Sequence, residues 1–392
     1  MTTSSRPAAS DPRPAVSPAV PAGWRTFGHD GARTFLLRGL RTGRLAHAYL
    51  IAGPPRIGKR SLALDLARAL NCEAGDLASR PCGDCRQCQR ITRGVHADVR
   101  VIDPDTPIES ARPRPGEEDR VHRVIRKGHV DDLQHRASLK PFEGRHQVFI
   151  IDGAETMLAP AANALLKTLE EPEAQVTLVL LTAMAGALPE TIVSRCQRID
   201  LRPVPAEAIE RHLVEAAGAE PQLARTVALA AGGRPGWALA ALADPTAMES
   251  RRQALVRVLS VVVGSIEERF RYARTLAATF RKDRAAAADE IAVWLGMWRD
   301  VLLTQHGHMA TVSNPDYATE MEAIGRAVSA AAAAGAIRSV QGTADALARN
   351  AQPALAFDVM MLELPRVDPA LLPTLAETDA GGLAPDADEP LA

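Results

Sequence analysis

The sequence predicts a parallel α/β domain followed by a long all-helical region. Three observations predict it. Short apolar runs, "HAYLIAG", "QVFIIDG" and "VTLVLLTA", alternate with helical patterns in the first half of the chain, as in doubly wound parallel sheets. The first run passes through a Gly-Pro loop into an apolar-periodic helix, the setting of a phosphate-binding loop. After about residue 203 strand signals fade, and a composition 46% hydrophobic but only 4% aromatic favours helices.

The elements follow in chain order. Residues 1–22 form a Pro/Ala/Ser tract without the apolar stretch of a secretory signal, and are expected to be a disordered tail. Structure begins at Trp24. "GARTFLLRGLRTGRL" reads as an amphipathic helix with Phe35, Leu36 and Leu40 at helical spacing. A strand, the loop "GPPRIGKRS" and the helix "KRSLALDLARALN" come next. After a group of cysteines, the polar segment Asp103 to Lys127 reads as a long exposed loop. The second strand ends at Asp152 and the third at Thr182. Between them "NALLKTLEEP" (Asn163 to Pro172) is a helix with Leu165, Leu166 and Leu169 on one side, ended by Pro172. "PAEAIERHLVEAAGA" and "PQLARTVALAAGGRPGWALAAL" give two or three short helices with a Gly-Pro break. From Met248 to about Leu364 the pattern is almost all helical, and its last helix carries Leu355, Val359 and Leu362 on one face. The expected division is a tail at 1–22, an α/β domain at 23–203, a small helical domain at 204–247, a larger helical domain at 248–365, and a Pro-rich acidic tail at 366–392.

Composition sets limits on function. The 392 residues suffice for two or three domains. A net charge of -1 carries no global basic signal, so nucleic acid would have to be met by a local patch or through partner subunits. No run of about eighteen apolar residues occurs, so no membrane contact is expected and the cytoplasm is the expected compartment.

In a phosphate loop, glycines turn backbone N–H groups toward the phosphates, a Lys reaches the β and γ phosphates, and a Ser/Thr hydroxyl holds Mg²⁺. Gly53, Gly58 and Lys59 meet this pattern, but Arg60 stands where the hydroxyl is needed. Ser61 lies one step on, about 100° around the helix. Asp152 supplies the second acidic position of a metal site. An attacking water would then need a Glu directly after it, and the chain reads Asp152-Gly153-Ala154-Glu155. Glu155, two places late, reads as a solvated helix residue. Efficient hydrolysis is not expected, and neither ATP nor Mg²⁺ is assigned as a cofactor.

Cys72, Cys82, Cys85 and Cys88 form C-x₉-C-x₂-C-x₂-C. Short C-x₂ spacings let one turn present several thiolates to a tetrahedral Zn²⁺ at about 2.3 Å. Disulfides and an iron–sulfur cluster are the competing readings. Structural zinc is the one expected, with all four ligands from protein. Cys196 stands apart and reads as a packing residue.

"GRLAHAYLIAGPPRIGK", the four-cysteine insert, "NALLKTLEEP" and "SRC" together resemble the bacterial clamp-loader AAA+ proteins, over roughly residues 22 to 365. The resemblance implies a P-loop NTPase domain carrying the zinc insert, a small helical lid and an all-α collar through which subunits associate. Within such a loader, Arg60 and Gly153 resemble the stationary subunit whose own site has decayed, rather than a motor subunit. Thr182 matches the polar sensor of the γ phosphate, although a strand-end threonine reads equally well. Ser194-Arg195-Cys196 matches the SRC motif, whose arginine, here Arg195, enters the neighbouring subunit's ATP site, where a guanidinium can neutralise charge on the transferred phosphoryl group. In "GGRPGWALA", Gly236 and Trp237 occupy the helix positions at which active relatives carry a second sensor arginine, and Arg234 precedes the break. The partners implied are the motor subunits (gamma/tau) and the delta subunit, with the sliding clamp and primer–template DNA met through the complex. Two other readings compete: an active ATPase of motor type with Ser61 replacing the hydroxyl, and a stand-alone zinc-containing DNA-binding module.

Overall fold

The computed structural model of the chain describes residues 23–109, 124–244, 246–349 and 351–372. The tail expected at 1–22 lies outside these residues. Five parallel strands, β1 (Ala48–Ala52), β2 (Val99–Ile102), β3 (Gln147–Asp152), β4 (Val176–Thr182) and β5 (Gln197–Asp200), form one sheet in the order β2-β3-β4-β1-β5. Helices α1 (Asp30–Thr42), α2 (Lys59–Asn71), α3 (Arg86–Thr92), α4 (Lys127–Ala137), α5 (Ala159–Glu170) and α6 (Glu190–Val193) connect and cover them. This is the expected α/β P-loop domain.

The three central strands are mostly apolar because both of their faces are buried, with Asp152 and Thr182 at their C-terminal ends among the polar exceptions. Alternate residues feed two cores. Tyr49, Ile51, Ile150 and Val179 pack against Leu36, Leu37 and Leu40 of α1 and Leu62 and Leu66 of α2. Leu50, Phe149, Ile151 and Leu180 pack against Val130 and Leu133 of α4 and Leu165 and Leu169 of α5. Each fully buried leucine contributes about 1.5–3 kcal/mol. β2 and β5 were not expected. "VRVI" and "QRID" are four-residue edge strands, and only one residue of each is buried, so their apolar signal is weak.

Helices α7 (Ala206–Ala217), α8 (Pro221–Ala230) and α9 (Pro235–Ala243) enclose a small core around Leu213, Val227 and Trp237. The larger helical region comprises α10 (Thr246–Val263), α11 (Ile266–Lys282), α12 (Arg284–Gln305), α13 (Ala318–Ala327), α14 (Ala330–Ala348) and α15 (Pro353–Glu363), packed around Trp294, Trp298, Met297 and Phe357. Among the described residues no helix is long and apolar enough to cross a membrane.

Several expectations change. In α1 the buried face is Leu36, Leu37 and Leu40 while Phe35 is exposed, and the helix stops at Thr42 because Gly43 turns into the left-handed region. The segment from Asp103 to Lys127 is not simply an exposed loop. Ile125 is fully buried and bridges to Met157, and Glu109 pairs with Arg100 and Arg136; residues 110–123 lie outside the described set. Leu355, Val359 and Leu362 share a face of α15, but that face is exposed. Phe357, Met360 and Met361 turn inward instead, where Phe357 meets Phe280 edge-on. The tail expected from residue 366 is corrected at its start, because Val367 and Leu372 are buried in the large helical core. The remainder of 366–392 lies outside the described residues.

Candidate functional site

Parallel register brings the C-terminal ends of β1, β3 and β4 together, with Ala52 opposite Thr182 and Asp152 opposite Leu181. The crevice beyond those ends is where open α/β sheets bind ligands. Gly53 leaves β1 with its N–H donating to the Thr182 carbonyl at 3.1 Å. A Cβ on Gly53 would lie 2.7 Å from the Leu201 carbonyl oxygen, so only glycine fits. Gly58, at φ +114°, starts α2 in a conformation other residues avoid. The His29 ring, Nε2 2.9 Å from the Ile57 carbonyl, braces the loop from the start of α1. Burial holds that imidazole below its usual pKa, against the pull of the Ile57 carbonyl.

An open cleft of about 470 Å³ follows, bordered by Arg56, Lys59, Arg60, Asp152, Glu155 and Gly236. Lys59 Nζ donates to the loop's own carbonyls, Gly53 at 2.6 Å and Pro54 at 2.9 Å. Burial lowers its pKa, and Glu155 and Asp152 oppose the shift. Burial raises Asp152, and Arg60 and Lys59 oppose that. Arg60 Nη1 stands 3.7 Å from Asp152 Oδ2. The guanidinium therefore faces the carboxylate that would help hold a metal ion in an active site.

Of the expected nucleotide residues, Gly53, Gly58, Lys59 and Asp152 converge here. Thr182 is at the same sheet edge but fully buried, and its hydroxyl accepts from Met184 N–H at 2.9 Å rather than lining the cleft. Two expectations are corrected. Glu155 is not a solvated helix residue. Gly153, at φ +78°, starts a short 3₁₀ turn that aims Glu155 into the cleft, where Oε1 accepts from Ala183 N–H at 3.2 Å and Oε2 is buried without a donor among the described residues. Ser61 also borders the cleft, so the helical step does not carry it out of the site. A motif search for Glu immediately after Asp152 misses Glu155, because the 3₁₀ turn rather than the spacing brings it back.

The small helical region closes on the loop through α9. Gly236 N–H donates to the Arg56 carbonyl at 2.9 Å, and a Cβ there would lie 2.7 Å from that oxygen. Arg234 turns away from the cleft to Asp289 of α12 at 3.1 Å, and Arg56 reaches the same carboxylate at 3.5 Å. Sequence reasoning missed Asp289, since nothing in its helical stretch marks it.

Arg195 lies beyond α6 and does not line its own chain's cleft. Its guanidinium rests on the surface, donating to the Thr191 carbonyl at 2.8 Å and to Glu170 Oε1 at 2.7 Å. Cys196 packs against the neighbouring core, and burial pushes its thiol up to about 11.

The four cysteines Cys72, Cys82, Cys85 and Cys88 come together with their sulfurs all within 4.8 Å of one another. Tetrahedral thiolates at 2.3 Å from Zn²⁺ would be about 3.8 Å apart, so the cluster fits the ion. None is disulfide-bonded. Backbone N–H groups of Cys82, Cys85 and Cys88 point at Cys72, Cys82 and Cys85 sulfurs at 3.3, 3.3 and 3.5 Å, an arrangement that stabilises thiolate. Burial opposes ionisation of Cys82, but the Cys85 and Asp84 N–H groups and the Cys72 and Cys85 thiols outweigh it and bring its pKa to about 7, whereas burial raises Cys72 and Cys88.

Residues 28–205 match the protein family described as "DNA polymerase III, delta subunit". The chain is 36% identical over 193 residues to DNA polymerase III subunit delta' of Bacillus subtilis (strain 168), covering 49% of this chain and 53% of that protein. It is 34% identical over 248 residues to DNA polymerase III subunit tau of Salmonella typhimurium, covering 62% of this chain and 35% of that protein. The chain thus spans about half the length of the first relative and about a third of the second. A solved structure of a DNA polymerase III gamma subunit-related protein from Thermotoga maritima is 16% identical, covers 85% of this chain and 98% of its own, and has a TM-score of 0.36.

Proposed function

We propose that the protein is the delta-prime subunit of a bacterial clamp loader, a reading supported by the match of residues 28–205 to the DNA polymerase III delta-subunit family and by 36% identity over 193 residues to a delta' subunit. In this reading it works in the cytoplasm with gamma/tau motor subunits and a delta subunit, and meets the sliding clamp and primer–template DNA through the complex. Residues 23–203, 204–247 and 248–365 act as ATPase-like domain, lid and collar, and zinc on the four cysteines is structural. The chain itself hydrolyses little ATP and donates Arg195 to the neighbouring motor subunit's site.

One observation supports the division of labour most strongly. Arg60 replaces the metal-binding hydroxyl and faces Asp152 at 3.7 Å, so a cationic side chain stands where a divalent ion would be recruited. Arg195, held loosely at the surface by Glu170, is a guanidinium that a neighbouring subunit's phosphates could take over, because an exposed ion pair of this kind is worth only about 0–1 kcal/mol.

The expected outcome is no measurable ATP turnover by the isolated chain with Mg²⁺. In the reconstituted loader, Arg195→Ala leaves assembly intact and slows ATP-driven clamp loading by about tenfold or more. Unchanged loading would remove the trans role. A second reading, an active ATPase of gamma/tau type, is favoured by Glu155 and Ser61 bordering the cleft. It requires turnover by the isolated chain that Lys59→Ala abolishes.

A further inference from the structure

The loop joining α4 to β3 holds an apolar ring out in water with an unusually firm backbone. Phe142 at its tip is 87% exposed, and Leu139 is 56% exposed. Beneath them the buried Asp98 carboxylate accepts three successive N–H groups, from Phe142, Glu143 and Gly144, at 2.7, 2.8 and 2.6 Å. Asn71 Oδ1 accepts the next two, from Arg145 and His146, at 2.8 and 3.0 Å. A Cβ on Gly144 would collide with that same oxygen, so the close approach needs glycine. Five consecutive amides are thereby held from inside the domain, and Phe142 has no route back to the core.

A second anchor comes from α3. Gln87 Nε2 donates to the Glu143 carbonyl at 3.0 Å, and Arg90 pairs with the Glu143 carboxylate at 3.0 Å. The Glu143 carboxylate also accepts from Ala97 N–H at 2.8 Å. The same short helix carries Cys88 and is capped by Cys85. One short helix therefore links the cysteine cluster to the Phe142 loop.

The surroundings define what fits. Val95, whose carbonyl accepts from Arg90, is a third exposed apolar residue beside the loop. Lys140 and Arg145 in the same loop and Arg93 at the end of α3 are exposed, while Glu143 is turned inward onto Arg90. An apolar projection with a basic rim is complementary to an apolar pocket with an acidic rim. Two aliphatic side chains beside a single ring favour a protein pocket over nucleic-acid bases, which stack on aromatic faces.

We propose that Phe142 anchors a docking surface, with Leu139 and Val95 beside it and Arg93, Lys140 and Arg145 around it, that inserts into a carboxylate-rimmed apolar pocket on another protein subunit of the same assembly. The inference rests on the reading that the chain works in a multi-subunit loader. The test uses full-length chain carrying Phe142→p-benzoylphenylalanine, reconstituted with purified gamma/tau and delta subunits, sliding clamp and primer–template DNA, then illuminated. A crosslink is expected to one protein subunit, at a segment containing apolar and acidic residues. Phe142→Ala weakens association with that subunit by about tenfold or more without lowering the melting temperature, because the ring is not part of the core. Lys140→Glu combined with Arg145→Glu weakens it similarly. Gln87→Ala, which loosens that link, reduces crosslinking yield. A crosslink to DNA alone, or none in an assembled complex, overturns the proposal. If the unmodified chain does not assemble with these subunits, the loader reading falls and this one with it.

Discussion

Arg60 and Arg269 show how differently one side-chain type is used. Arg60 is half exposed against Asp152 and adjusts the charge of a cleft. Arg269 is 1% exposed in the large helical core and its hydrogen bonds among the described residues all go to backbone carbonyls. It donates to the Val261 and Val262 carbonyls at the end of α10, and to those of Met361, Leu364 and Pro365 at and beyond the end of α15. Helix C-termini leave such carbonyls unsatisfied and carry partial negative charge, so the guanidinium caps two helices at once. Arg269→Met should therefore destabilise the protein by about 3 kcal/mol or more, as several buried acceptors lose their donor. Denaturant unfolding tests this, and a change below about 1 kcal/mol would mean that the carbonyls find water. The inward direction of Arg269 was legible, because it shares a helical stripe with Ala273, Leu276 and Ala277. Its acceptors were not, as Met361, Leu364 and Pro365 lie more than ninety positions away.

The helix after the phosphate loop could be read to the residue, since "KRSLALDLARALN" carries its own period and its own start signal. The edge strands β2 and β5 could not, because half-exposed four-residue strands look like loop. Elements joined by buried histidines give a pH dependence. His29 braces α1 to the loop, and His96 bonds Gln87 of α3 at 2.7 Å. Burial lowers the pKa of both, and also of His146. Between the lowered folded value and the unfolded value of about 6.5, the unfolded chain binds more protons, so stability rises with pH. The contribution is complete above about pH 6.5 and is lost as pH falls below it. Thermal melts of the chain should thus show a falling midpoint from pH 7.5 to 5.5, and His29→Gln should flatten that slope. An equal slope in the variant would assign the effect elsewhere.

Across the whole molecule, Asp289 joins three regions: the loop through Arg56, the small helical region through Arg234, and α12 on which it sits. Burial lowers the Arg234 pKa, and the Asp289 charge opposes it, so the pair is mutually supporting in a partly dry contact. Asp289→Ala should increase hydrogen exchange in α9 and at Gly236, while overall stability falls by no more than about 1 kcal/mol. Unchanged exchange would show that apolar packing alone holds α9 on the loop.

The amino-acid sequence by itself determined the parallel α/β class, the helical second half, the phosphate loop with its displaced hydroxyl, and the four-cysteine cluster. Each of these is encoded by neighbours along the chain, through period, spacing or a turn residue. Tertiary structure alone decided that Glu155 and Ser61 border the cleft, that Asp289 ties loop to helices, and that α15 leaves its aliphatic face in water. It also decided that Asp98 and Asn71 hold Phe142 outward. Those outcomes depend on which distant groups meet once the sheet closes, and a local pattern carries no record of its partner.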